Sequence, residues 1–120
     1  MARVQTSVTM QLREENLDEV TEILRTFIKG VHENDSGVLT YHYYLDRNPM
    51  VIRVFEQYES SSAHLDHFAQ IDQDAVAKLL QLVTLSDLHY YGTPSPDELT
   101  LLAGFGNVQY HEPLLSIDDI

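Results

Sequence analysis

Three observations in this chain predict an α+β fold. β-branched and aromatic residues dominate positions 38–58 with a single turn inside, apolar residues recur at helical spacing on both sides of that run, and residues 3–10 and 84–91 read as flanking strands. In chain order the elements are strand, helix, strand, strand, helix, strand, followed by a shorter helix and strand. The first six follow the ferredoxin-like βαββαβ plan, an antiparallel four-stranded sheet with both helices on one face. Residues 1–92 are expected to form that domain, and residues 93–120 a C-terminal helix and strand extension packing on it or on a partner subunit.

Each element has a local reason. Residues 3–10 alternate, with Val4, Val8 and Met10 on one side and Gln5, Ser7 and Thr9 on the other, the pattern of a half-buried strand. Asn16 followed by Glu19 has the form of a capping box, after which Leu17, Val20, Ile23, Leu24, Phe27, Ile28 and Val31 repeat at helical spacing. The helix is expected to stop between Gly30 and Ser36, and Gly37 leads into a strand over 38–45. Asp46, Arg47, Asn48 and Pro49 predict a four-residue turn, so that 38–45 and 50–57 pair as a hairpin. With Leu45 opposite Met50, one face carries Leu39, Tyr41, Tyr43, Leu45, Ile52, Val54, Glu56 and Tyr58, apolar except for Glu56. The other carries Val38, Thr40, His42, Tyr44, Val51, Arg53, Phe55 and Gln57. Ser60 is a helix cap for a segment running to about Val83, with Asp72 recapping it midway. Ser95, Pro96 and Glu98 form a second helix start, Gly104 a stop, and residues 107–111 a fifth strand.

The mixed outer face of the hairpin needs cover. Face-to-face pairing of two copies supplies it, so a homodimer through the sheet faces, a dimeric α+β barrel, is expected. With 120 residues, 43% of them hydrophobic, the chain can bury one core. A net charge of −12 with seven Lys and Arg repels phosphate backbones and anionic membranes, which argues against nucleic-acid and membrane partners. The absence of cysteine excludes disulfides, thiolate metal sites and thiol nucleophiles. The N-terminal MARVQTSVTM lacks a signal-peptide pattern and no apolar run approaches the ~20 residues of a membrane span, so a cytoplasmic location is expected.

The stretch Glu56-x-Tyr58-x-Ser60-x-x-Ala63-x-x-x-His67 resembles the motif of the antibiotic biosynthesis monooxygenase (ABM) domain family, with Tyr58 where the family usually has Trp. The segment from Gly37 to Tyr44 is similar to that family's Gly-x-Leu-x-Tyr strand, and the element order matches over roughly residues 3–92. The resemblance implies a dimeric α+β barrel with a pocket between the helices and the sheet of each subunit. It also implies one of several chemistries: cofactor-free oxygenation of quinols or anthrones, haem degradation, or isomerisation of small phosphorylated or sugar-like metabolites.

Glu56 and His67 are the candidate catalytic residues. A carboxylate on an apolar face needs a partner, and a Glu–His pair can abstract and return a proton, which both oxygenation of a phenol and enolisation of a carbonyl require. Tyr58, Tyr41 and Tyr43 are candidates to hold an aromatic substrate, with Val54 and His64 beside them. The same residues also have a structural reading, Glu56 and His67 as a tie at the helix start and the tyrosines as core. His64 and His67 lack the HExxH pattern and a third ligand, no dinucleotide or phosphate loop is present, and Ser60 to Ser62 read as caps, so neither metal, cofactor nor serine nucleophile is expected. The expected function is cofactor-independent monooxygenation of a small aromatic or quinol-type substrate. The alternatives are an isomerase using the same Glu–His pair and a non-catalytic small-ligand binder.

Overall fold

A computed structural model describes residues 3–119 of the chain. The elements are β1 (Val4–Leu12), α1 (Leu17–Asn34), β2 (Val38–Arg47), β3 (Met50–Tyr58), α2 (Ser61–Gln70), α3 (Gln73–Leu82), β4 (Val83–Tyr91), α4 (Pro96–Ala103) and β5 (Val108–His111). The five strands form one mixed sheet in the order β2-β3-β1-β4-β5, antiparallel except where β5 runs parallel to β4. This is the expected α+β ferredoxin-like sheet with one further strand on the β4 edge.

Caps set the helix boundaries. Ser60 Oγ accepts from the Ala63 N–H at 3.1 Å, and Asp72 Oδ1 accepts from the N–H groups of Asp74 and Ala75, which starts α3 with only Ile71 and Asp72 between it and α2. Asn16 does not cap α1. Its backbone is already helical (φ −97°, ψ −1°), so the chain enters α1 through the 3-10 turn Glu14–Asn16 and the Asn16 side chain makes no cap bond.

The hairpin is tighter than the simple register. Arg47 faces Met50 and Leu45 faces Ile52, a slip of two residues, which leaves the face assignments unchanged because side chains alternate with period two. Two bulges do change them. One between Val38 and Thr40 sets Val38 opposite Tyr58 and leaves Leu39 45% exposed, so Leu39 leaves the inner face. The other falls in β4, where Asp87 has φ +51°, and it lets both Leu85 and Leu88 line the helix side of the sheet.

The main core packs Val20, Ile23, Leu24 and Phe27 of α1 and Leu79 of α3 on Met10, Ile52, Val54 and Val83 of the sheet. A second cluster, Val4, Tyr58, Tyr90 and Leu102, joins α4 to the far end of the sheet. On the outer face, Tyr44, Phe55 and Tyr91 are exposed, with Tyr44 edge-on to Phe55 and Tyr91 stacked on His111. Among the described residues no helix is long and apolar enough to cross a membrane.

Candidate active site

Between the inner sheet face and the helices lies a partly open cleft of about 110 Å³, below the ~300–1,000 Å³ usual for small-molecule sites. Its walls are mostly aliphatic and aromatic, and among the described residues none of those lining it is Lys or Arg. Its polar groups come from the strands, Glu56, Tyr41 and Tyr43 among them, and from α2. Capping by Ser60 fixes where α2 begins after β3, and His64 and His67, one turn apart, both turn inward and are buried.

His67 centres the first group. Asp35 ends α1, its N–H donating to the Val31 carbonyl at 2.9 Å, and its carboxylate meets His67 Nδ1 at 3.1 Å. The other ring nitrogen, Nε2, lies 3.8 Å from Glu56 Oε1, within ion-pair distance. Tyr58 donates its hydroxyl to the same Glu56 oxygen. Tyr43 donates to the Tyr41 hydroxyl at 2.7 Å, and the Tyr41 ring stands edge-on to His67 with centroids 5.3 Å apart. Burial, reinforced by the Glu56 carboxylate, pushes the Tyr58 and Tyr41 phenols well above their ordinary range; for Tyr43, burial is followed by Tyr41 and then Glu56. All three hydroxyls therefore stay protonated at neutral pH and serve as donors.

His64 centres the second group. Its Nδ1 lies 2.7 Å from Glu98 Oε2, and Tyr90 donates to that oxygen at 2.8 Å. The other Glu98 oxygen accepts from the Ser95 N–H at 2.8 Å, closing the capping box of α4. Burial alone would raise the Glu98 carboxyl, but hydrogen bonds from His64, Ser95, Ser61 and Tyr90 outweigh it and hold the group below the usual carboxylate range.

Of the residues singled out from sequence, Glu56, His67, Tyr41, Tyr43, Val54 and His64 line the cleft. Tyr58 does not. It is fully buried, its hydroxyl is engaged by Glu56, and its ring packs against His64 and His67 at 4.6 and 5.5 Å, so it is a partner of Glu56 and a wedge between the histidines rather than a platform for a substrate ring. Asp35, Glu98 and Tyr90 were not among those residues. Among the described residues no group of three or more His, Asp or Glu is arranged to hold a metal ion.

Comparison with known proteins bears on the family and the fold. The family model for antibiotic biosynthesis monooxygenases matches residues 4–79. Among solved structures, MupZ from Pseudomonas fluorescens superposes with a TM-score of 0.75 at 17% identity, covering 100% of this chain and 98% of that one. A candidate antibiotic biosynthesis monooxygenase from Caulobacter crescentus CB15 gives 0.66 at 19% identity over 73% of this chain and 86% of that one. Rv0793 from Mycobacterium tuberculosis gives 0.61 at 18%, over 71% and 91%. At these identities the likeness is one of fold. No curated protein matches by sequence.

Proposed function

The chain belongs to the antibiotic biosynthesis monooxygenase family, and from that premise we propose that it is a cofactor-independent monooxygenase of a small aromatic, quinol-type substrate. The observation that carries the reading is a single one: the Asp35–His67–Glu56 line borders a cleft whose walls are mostly aliphatic and aromatic and free of Lys and Arg. A phosphorylated sugar or the propionates of haem would find no Lys or Arg there. A planar, weakly polar ring matches the aliphatic and aromatic walls of the cleft.

In this reading the Glu56–His67 pair takes the hydroxyl proton of the substrate, with Asp35 holding the imidazole at Nδ1. Tyr41, which accepts the Tyr43 hydroxyl proton, has its own O–H left to donate to an oxygen of the ring. The electron-rich anion then reacts with dioxygen: one oxygen atom replaces a ring C–H as a hydroxyl, the two quinol oxygens become carbonyls, the other oxygen atom leaves as water, and the substrate supplies all four electrons. No external reductant enters the balance. The working unit is a homodimer in which the aromatic outer faces of two sheets cover each other.

The test is oxygen uptake with 1,4-dihydroxynaphthalene, counting one dioxygen consumed per hydroxyquinone formed. Glu56→Gln and His67→Gln are each expected to lower kcat by about 10²–10⁴-fold with ring binding retained. Ring binding without uptake would replace this reading by the binding-only one, and anaerobic proton exchange α to a carbonyl would replace it by the enolising one. Sedimentation equilibrium reads the dimer directly, and a monomer at micromolar concentration would remove that part of the proposal.

A further inference from the structure

We propose that α4 completes this site: Glu98 is a positioning residue that holds the proton of His64 on Nδ1, and His64 Nε2 thereby becomes a second proton-exchanging group in the cleft, suited to a ring bearing two oxygen functions. The first half rests on contacts alone, and the ligand class rests on the reading of the cleft given above.

His64 is 1% exposed and takes no part in the His67 line. If it served only to fill space, an aliphatic or phenyl side chain would do so without burying two polar nitrogens. The imidazole is instead matched to a carboxylate that is itself 0% exposed. That carboxylate receives the Ser95 N–H on one oxygen and the Tyr90 hydroxyl on the other. An ionised carboxylate only accepts, so the 2.7 Å contact at Nδ1 requires that Nδ1 carry a proton. Nε2 is then the nitrogen left for the cleft, which His64 lines together with Tyr90. A buried ion pair is weak as a stabilising device, since apolar replacements of similar volume usually do as well, so stability does not account for this arrangement.

The consequence is a pair of carboxylate-steered imidazoles one helical turn apart. Residues three apart on a helix have Cβ atoms about 5–6 Å apart, a span over which two oxygens of one ring can each meet a nitrogen. His67, steered by Asp35 from the end of α1, serves one. His64, steered by Glu98 from α4, serves the other. A dihydroxylated ring would use both groups and a monophenol one.

The test uses the full-length protein under argon, so that no oxygenation is required. Long-range proton–nitrogen NMR at neutral pH is expected to show His64 protonated at Nδ1, and Glu98→Gln to remove that assignment while the far-ultraviolet circular dichroism stays native. An unprotonated Nδ1 in the wild type overturns the proposal, and that spectrum decides alone if Glu98→Gln does not fold. Adding 1,4-dihydroxynaphthalene is expected to shift the His64 Nε2 signal. This probe should also bind about tenfold more tightly than 1-naphthol, a preference that falls to about threefold or less in Glu98→Gln. An unmoved Nε2 signal on saturation, or an undiminished preference in the variant, sinks the inference. Failure of oxygen uptake with these results intact would remove the oxygenase reading and leave the second histidine in place.

Discussion

Replacing Tyr58 by Phe separates the two roles open to that side chain. The ring is fully buried against Val4, Tyr90 and the two histidines, so the substitution keeps the apolar area and removes only the hydroxyl. The transfer contribution is close to zero, and what is lost is a hydrogen bond donated to Glu56. Bonds of this kind to a charged acceptor contribute about 1.5–3 kcal/mol. With an m-value of about 1–3 kcal/mol/M, the urea midpoint is expected to fall by roughly 1 M. Equilibrium urea unfolding of wild type, Tyr58→Phe, Glu56→Gln and the double variant closes a cycle whose coupling is expected to reach about 1 kcal/mol or more. If Tyr58→Phe stays within about 0.5 kcal/mol of wild type and the cycle shows no coupling, the hydroxyl is not tied to Glu56 and the wedge role assigned to Tyr58 is wrong.

Asp35→Asn is expected to lower kcat on 1,4-dihydroxynaphthalene by about 10–100-fold with little change in ring binding, because it loosens the imidazole rather than the cleft; a variant with wild-type turnover would remove Asp35 from the relay. Gly37→Ala places a Cβ 2.7 Å from the Ala63 Cβ, a contact between two atoms fixed to backbone, so thermal unfolding is expected to report a loss of about 1–3 kcal/mol. Adding Ala63→Gly should recover part of it, and no recovery would place the strain elsewhere. The phenols of Tyr41, Tyr43, Tyr58 and Tyr90 are all raised by burial first. The fold therefore favours their neutral forms, a contribution complete below the unfolded phenol value of about 10 and lost as pH rises above it. Tyrosinate absorbance from these four is expected to appear together with loss of circular dichroism, and ionisation in a protein that is still folded would contradict it.

The order of elements was legible because it depends on local patterns: alternation in β1 and the hairpin, helical spacing in α1, and the caps at Ser60, Asp72 and Ser95. Face assignments survived a two-residue slip in register, since parity does not notice it. They failed at the bulge beside Leu39, which no local pattern marks.

The site divides along the same line. Glu56 and His67 stand within one strand-to-helix passage, and the motif that joins them is readable. Their partners are not local. Asp35 lies 32 residues from His67, inside a polar run that reads as a helix stop, and it does end α1. Glu98 reads as half of a capping box and is one, but only through one oxygen; the other meets His64, 34 residues away. A carboxylate that satisfies a local cap still has a second oxygen to satisfy if it is buried. In a chain with 19 acidic residues and seven Lys and Arg, cations to meet such oxygens are scarce. The Arg and Lys side chains in ion pairs here are at the surface, Arg13, Arg25, Arg53 and Lys78. Inside, the groups that meet Asp35 and Glu98 are the inward-facing histidines of α2. The acidic composition that argued against nucleic acid at the outset thus also bears on the interior: buried acids short of Lys and Arg take histidine, and each imidazole so held by Nδ1 has Nε2 left for chemistry.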